Sequence, residues 1–281
     1  MFDYTLYKKK ILSNKKINTA GFIEIEILDR LMDKLSFIKI NPKNILCVGS
    51  SFGQLSQLIR EKYPKANVTC CDLLTESITS SISQSTRIKH ITQDIDLELP
   101  YQDNHFDLII SNLLLHKLDH TEHFIREVKR ILVNQGMCLF SMFGVETLKE
   151  VAIAWQQIDT HSHIQPFFDM HDIGDLALKA GFEQPVLDVE FIKFTYNKAL
   201  KVIQDIRELN DPLALENMRK TLTGKKRWYQ FIHQLETSSP ITITYEVIYG
   251  HIVKQVKNVS KLKNNTAKVS IESLKETLNR K

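Results

Sequence analysis

The stretch from residue 44 to residue 72 constrains this chain more than any other. It opens Asn44-Ile-Leu-Cys-Val-Gly-Ser-Ser-Phe-Gly-Gln-Leu-Ser56 and closes Asn67-Val-Thr-Cys-Cys-Asp72. Residues 45–48 are a continuous apolar run, the pattern of a strand buried on both faces. Gly49 and Gly53 bracket a turn. Leu55, Leu58, Ile59 and Tyr63 then recur at helical spacing, and Pro64 stops the helix. Residues 68–71 read as a second buried strand, with Asp72 at its end. Strand, glycine turn, helix, strand, acid is the opening half of a nucleotide-binding α/β sheet. Sheets of this kind hold ligands at the carboxyl ends of their strands.

The rest of the chain continues the alternation. Residues 22–35 carry a helical apolar stripe of Ile25, Leu28, Leu31, Met32 and Leu35. Residues 75–83 suggest a short helix. Strands follow at 88–92 and 106–111, a helix at 121–132, and a strand at 137–143, with Asn134-Gln-Gly136 ending the helix. This order predicts a parallel sheet with right-handed crossovers. Beyond it the pattern changes to a helix over 169–180, a long strand over 185–196, a mostly helical insert over 199–236 and a long strand over 241–253. Two long strands around a helical insert predict a mixed seven-stranded sheet, helices on both faces and a lid over about 197–237. Residues 1–20 are polar and basic, with some helix of unclear register.

Composition adds boundaries rather than identity. In 281 residues, 43% are hydrophobic and 25% charged, enough for one large core over residues 1–253. No apolar run approaches the ~20 residues of a membrane span, and no secretory signal is evident, so no membrane partner is expected. Cys47, Cys70, Cys71 and Cys138 all sit in strand-like apolar runs and read as buried thiols in a reduced cytoplasm. The basic balance is local. Residues 254–281 hold eight basic side chains and two acids, so this extension is +6 and the remainder −2 of the overall +4. It reads as a mobile tail with a weak helix near 271–278, and no nucleic-acid partner follows from it.

The acids fall where a nucleoside needs them. Asp72 can accept both ribose hydroxyls. Asp94, just past the third strand, can take an adenine amino group, and Asn112 ends the fourth strand at the floor. Leu73 and Ile95 flank the two acids. The turn excludes two rivals. A dinucleotide fingerprint needs three glycines where only Gly49 and Gly53 occur, and Thr223-Gly224-Lys225-Lys226 lacks the first glycine and the hydroxyl residue of a P-loop.

This order of elements, with Asp72, Asp94 and Asn112, resembles the class I S-adenosylmethionine-dependent methyltransferases, a Rossmann-like fold. Further motifs narrow the resemblance. Ser111-Asn-Leu-Leu-Leu-His116, Phe140-Ser-Met-Phe-Gly144, Thr147-Leu-Lys-Glu150 and Phe168-Asp-Met-His-Asp-Ile-Gly-Asp175 are among them. So are Ala180-Gly-Phe182, Pro185-Val-Leu-Asp188, Leu222-Thr-Gly-Lys225 and Thr244-Tyr-Glu-Val-Ile-Tyr-Gly250. Together they are similar to the malonyl-acyl-carrier-protein O-methyltransferases of biotin synthesis. The resemblance implies methyl transfer from S-adenosyl-L-methionine to the free carboxylate of a malonyl thioester, on a carrier protein or on coenzyme A. It implies a cofactor site at Gly49, Ser51, Gly53, Asp72, Leu73, Asp94, Ile95 and Asn112. Such a reaction asks for positioning rather than a catalytic triad. Arg207, in the insert, is a candidate contact for the substrate carboxylate.

Two departures stand out. Cys47 replaces the acid this family usually carries in the glycine motif, and Ser51 replaces its middle glycine. The alternatives are therefore a methyltransferase of another substrate, or a non-catalytic assembly protein with a decayed cofactor site. The family's carrier is acidic, and Arg219, Lys220, Lys225, Lys226 and Arg227 form a basic patch that could receive it. His116, His161, His163 and His171 lack convincing metal spacing and read as solvated or capping side chains, so no metal is expected.

Overall fold

The fold follows from strands apolar on both faces. A computed structural model describes residues 2–13, 20–49, 53–73, 88–216, 218–219 and 221–255. Seven strands form one sheet in the order β3-β2-β1-β4-β5-β7-β6. They are β1 (Asn44–Val48), β2 (Asn67–Asp72), β3 (Ile88–Thr92), β4 (Phe106–Ser111), β5 (Leu132–Phe143), β6 (Val186–Tyr196) and β7 (Ile241–Val253). The first five run parallel, and β7 lies antiparallel between β5 and β6. Along β1, Ile45 and Cys47 enter the core on one face of the sheet while Leu46 and Val48 enter the core on the other. Such a strand needs helices on both sides.

Those helices are α1 (Tyr4–Ser13), α2 (Phe22–Ser36), α3 (Gln54–Lys62), α4 (Thr121–Ile131), α5 (Lys149–Gln156), α6 (Met170–Lys179), α7 (Ala199–Glu208) and α8 (Lys225–Leu235). One core holds Ile23, Ile27, Leu28, Leu31 and Leu35 of α2, a stripe that takes in Ile23 and Ile27 where Ile25 was expected and leaves Ile25 and Met32 half-buried, with Leu55 and Ile59 of α3 and residues of α5, α7 and α8. The opposite core holds Phe124, Ile125, Val128 and Ile131 of α4 with Ile173 and Ala177 of α6. Asp169 caps α6 by accepting the His171 N–H at 2.8 Å. Lys34 of α2 reaches across to the outermost strand, donating to Asp188 at 2.6 Å and Glu190 at 2.7 Å.

Several expectations change. β5 begins at Leu132, directly after α4, with a register shift against β4, so 134–136 lie within the strand rather than before it. α5 was not expected. The insert is less helical than its sequence suggests, since the described residues between α7 and α8 are not helical. The helix expected over 75–83 and the tail helix near 271–278 fall outside the described residues. The antiparallel ladder also engages Lys254, whose N–H donates to Gly136 at 2.9 Å and whose ammonium donates to the Leu132 carbonyl at 2.7 Å. Among the described residues no helix is long and apolar enough to cross a membrane.

Candidate functional site

The chain leaves β1 toward β2 and β3, then returns to β4 on the other side of β1. The carboxyl ends of β1 and β4 therefore diverge, which is where open α/β sheets hold ligands. Gly49 turns the chain there with φ +65°, a value glycine adopts without cost. Its N–H donates to the Cys71 carbonyl at 2.9 Å, and a Cβ at this position would meet Leu114 at 2.8 Å. Gly53 caps α3 with φ +75°. Ser51 lies outside the described residues. Gly49, Asp72, Leu73 and Ile95 line one groove together with Leu114 and Leu118. Asn112 sits beneath, 4% exposed, accepting the Ser141 hydroxyl at 2.6 Å and donating to the Glu24 carbonyl at 3.3 Å.

Tyr4, Tyr7 and Ile11 of α1 close this groove from above, leaving about 60 Å³. Small-molecule pockets are commonly about 300 Å³ or more, so with α1 in place the groove is too small for a nucleoside-sized ligand. Asp94 fastens that helix. Tyr4 donates to it at 2.6 Å and the Lys8 ammonium at 2.7 Å. Burial pushes the Asp94 carboxyl up, but the bonds from Lys8 and Tyr4 outweigh it and hold the group below its usual range. Burial, then the charges of Asp211 and Asp72, push the Tyr7 hydroxyl well above its usual value, so it stays a proton donor.

A second cavity of about 610 Å³ opens beside the groove. The two share Leu209 and Asn210, at the end of α7. Its walls are mainly apolar, from Phe143, Leu148 and Trp155 to Ile203 and Ile206, and Arg207 lines it. Behind Asp211 lies a polar network. Gln165 donates to Asp211 at 3.3 Å and accepts the Ala214 N–H at 3.2 Å. His116 Nε2 faces the other Asp211 oxygen at 3.3 Å, while its Nδ1 accepts the Phe143 N–H at 3.3 Å. That acceptor role places the imidazole proton on Nε2. Burial pushes His116 down and so keeps it neutral, although Asp211 opposes this.

The structure corrects two histidines. His116 is not solvated or capping: its side chain is fully buried against Asp211. His163 stacks on Trp155 with ring centroids 3.8 Å apart and pairs with Asp159 at 2.9 Å. His171 does sit at a helix cap, exposed, beside Asp169. Among the described residues, Asp96, Asp119 and His120 alone group enough ligand atoms to suit a cation. Asp96 there accepts the His120 N–H at 2.8 Å and its Nδ1 at 2.7 Å, tying the end of β3 to the start of α4.

The basic patch divides. Arg219 turns inward, its Nη1 3.5 Å from Asp159 and its side chain only 20% exposed. Lys220 lies outside the described residues. Lys225 and Lys226 are exposed and Arg227 half-buried, all in the first turn of α8. Sequence reasoning missed Glu24, Tyr4, Tyr7, Gln165 and Asp211. Only a buried acid within the α2 stripe gave any local signal.

Over residues 46–140 the chain matches the methyltransferase domain family. It is 32% identical over 269 residues to the malonyl-[acyl-carrier protein] O-methyltransferase of Nitrosospira multiformis, covering 88% of this chain and 87% of that one. It is 33% identical over 254 residues to malonyl-[acyl-carrier protein] O-methyltransferase 1 of Coxiella burnetii, covering 89% and 87%. A structure of a Haemonchus contortus phosphoethanolamine N-methyltransferase 2, solved with S-adenosylhomocysteine, aligns with a TM-score of 0.55 at 14% identity. It covers 89% of this chain and 60% of that one, a likeness of fold. With about a third of positions shared over nearly the whole length of such relatives, the chain belongs to the malonyl-[acyl-carrier protein] O-methyltransferase family.

Proposed function

We infer that this protein transfers a methyl group from S-adenosylmethionine to the free carboxylate of a malonyl thioester on an acyl carrier protein, opening pimeloyl assembly for biotin. The observation that carries the reading is the junction at Leu209 and Asn210 of a closed strand-end groove with a separate, largely apolar cavity of about 610 Å³. With α1 lifted the first would suit a nucleoside, and the second would take an acyl chain. The groove would offer Asp72 to the ribose hydroxyls and Ile95, Leu114 and Leu118 as apolar walls, and Asp94, which holds Tyr4 and Lys8 while α1 is closed, would take the adenine amino group once α1 releases it.

When bound, the cofactor supplies a methyl group already activated on a sulfonium. The chain then has little chemistry to perform. A malonyl carboxylate is ionised at neutral pH, so no general base is required. Arg207 would hold that carboxylate through a two-pronged contact and aim it at the junction. The apolar wall excludes water from the path. The masked product leaves without its charge, which suits a fatty-acid elongation system built for apolar primers.

The carrier would approach α8. Lys225, Lys226 and Arg227 occupy a helix N-terminus, where positive charge opposes the backbone dipole by about 0.3–1 kcal/mol each. Leu222 beside them is 94% exposed and Tyr229 69%. Cations placed against the helix, with exposed apolar contacts, suit an acidic partner.

The test is incubation with methyl-labelled cofactor and either malonyl-carrier protein or malonyl-coenzyme A. Label recovered as a base-labile ester on the carrier supports the reading, and label on coenzyme A alone reassigns the acyl donor. Arg207→Met should lower kcat/KM about a hundredfold while S-adenosylhomocysteine binds as before. A protein that binds S-adenosylhomocysteine yet labels neither thioester acts on another substrate.

A further inference from the structure

Two cations flank Leu209 and Asn210, the residues that the groove and the larger cavity share. Arg207 lines the cavity, and Lys117 lines the groove. Among the described residues each is the only lysine or arginine on its own wall. Neither the Lys117 ammonium nor the Arg207 guanidinium has a hydrogen-bond or ion-pair partner among the described residues.

The turn that follows β4 places Lys117. Leu115–Lys117 form a single 3-10 turn. The Lys117 N–H donates to the Leu114 carbonyl at 2.8 Å, and the Thr121 hydroxyl donates to the Leu115 carbonyl at 3.2 Å. Successive side chains of such a turn stand about 120° apart. His116 is directed at Asp211 of the cavity wall, 3.3 Å away, while its neighbour Lys117 lines the groove. Lys117 is half-buried there, whereas Arg207 is exposed. A cation drawn out of water with no anion against it carries a desolvation cost.

Asp211 offsets part of that cost from a distance. Burial pushes its carboxyl up, but the charge of Lys117, ahead of the hydrogen bond from His116, brings it below its usual range. The ammonium therefore acts on the cavity as well as on the groove that it lines. Asp211 itself is engaged by His116 and Gln165, and no ion pair joins it to Lys117. An anion at the junction would meet Lys117 from one chamber and Arg207 from the other. A carboxylate that receives a group carried in the groove has to lie at that junction.

We propose that Lys117 holds the acceptor carboxylate of the malonyl group from the groove side, opposite Arg207. The inference rests on the reading of the two chambers given above. Two cations on opposite sides can engage both carboxylate oxygens, which fixes the acceptor's orientation as well as its position. They also give the junction a means of telling substrate from product, because methylation removes the charge that both recognise.

Calorimetric titration tests it with the full chain saturated by S-adenosylhomocysteine, whose sulfur is uncharged. Malonyl-carrier protein and the methyl ester of the same carrier protein are the two probes, identical except for the carboxylate charge. Lys117→Met should weaken the malonyl form about ten- to a hundredfold, the scale of a charge-assisted hydrogen bond, and the ester by no more than about twofold. S-adenosylhomocysteine affinity should hold within about twofold, and Lys117→Arg, which keeps the charge, should recover most of the malonyl affinity. Equal loss of both carrier forms overturns the proposal by marking Lys117 as wall alone, and so does unchanged binding of the malonyl form. Weaker S-adenosylhomocysteine binding with the malonyl form unaffected also overturns it, since the ammonium then serves the cofactor's own carboxylate. A wild type that binds S-adenosylhomocysteine but neither carrier form overturns the substrate reading itself, and this inference with it.

Discussion

The Tyr4 hydroxyl donates to the Asp94 carboxylate at 2.6 Å, joining two residues 90 positions apart and closing α1 over the strand ends. Lys8 donates to the other oxygen of the same carboxylate. Asp94 thus serves the helix before it serves a ligand. Its folded-state pKa is depressed, so the stability it contributes is present above the unfolded value of about 3.9 and is lost as pH falls through the folded value. Protection of the amides of residues 4–13, taken relative to their intrinsic exchange rate at each pH, should be high at pH 7 and fall sharply below about pH 4. Tyr4→Phe should raise exchange there at neutral pH without speeding it in β1. Exchange that ignores both changes would mean that other contacts hold α1.

His116 and Asp211 give the opposite end of the pH range its own signature. A neutral buried imidazole has a depressed pKa, so its stabilisation is present above about pH 6.5 and declines as pH falls from there toward the folded value. His116→Ala should cost about 2 kcal/mol, because it removes a neutral donor from the buried Asp211 carboxylate, and should flatten the stability profile between pH 5 and 7. Urea denaturation at several pH values reads both effects. A loss that is the same at every pH would reflect packing alone.

Reversal of Lys225, Lys226 and Arg227 to glutamate should raise KM for the carrier-bound substrate about tenfold and weaken its dependence on ionic strength. Activity toward a short malonyl thioester without a carrier should be unchanged. Equal KM for the carrier substrate before and after reversal would remove α8 from the docking surface.

Lys254 moves the edge of the folded unit. Truncation after Gln255 should leave the melting temperature within about 1 °C of the full chain. Truncation after Val253 removes the bonds from Lys254 to the Leu132 and Gly136 carbonyls and to Asn104. Removing these bonds should lower the melting temperature by about 2–4 °C, from roughly 1 kcal/mol in a chain this size. Identical melting of the two truncations would show that the strand ends without this residue.

Much of the fold could be read from residues 44–72 because a strand buried on both faces, a glycine turn and a terminal acid are each set by local chemistry. The β7 alternation was legible for the same reason. What escaped depends on distance in the chain. Nothing near His116 announces Asp211, 95 positions later, so its burial was invisible. α1 lacks a clean apolar stripe because Tyr7 and Ile11 face a groove and not the main core. β5 starts early because pairing with β4 and β7 overrides the turn chemistry of Asn134 and Gly136. α5 follows Leu148 at φ +60°, a conformation that no leucine advertises. Arg219 counted as surface charge until Asp159 supplied it with a partner.

The same short helix that covers the groove is also bound to the insert. Asp3 donates its N–H to the Ala214 carbonyl at 2.9 Å, and Lys10 reaches the Leu213 carbonyl at 2.6 Å. Leu213 lines the larger cavity, and Ala214 is held by Gln165 beside Asp211. Lifting α1 therefore pulls on the wall of the neighbouring chamber. Through such a strap, occupancy of one chamber changes the free energy of filling the other, and linkage requires the effect to be reciprocal. A donor that ordered α1 would tighten the grip on the acyl chain by the same factor by which the acyl chain tightened the grip on the donor.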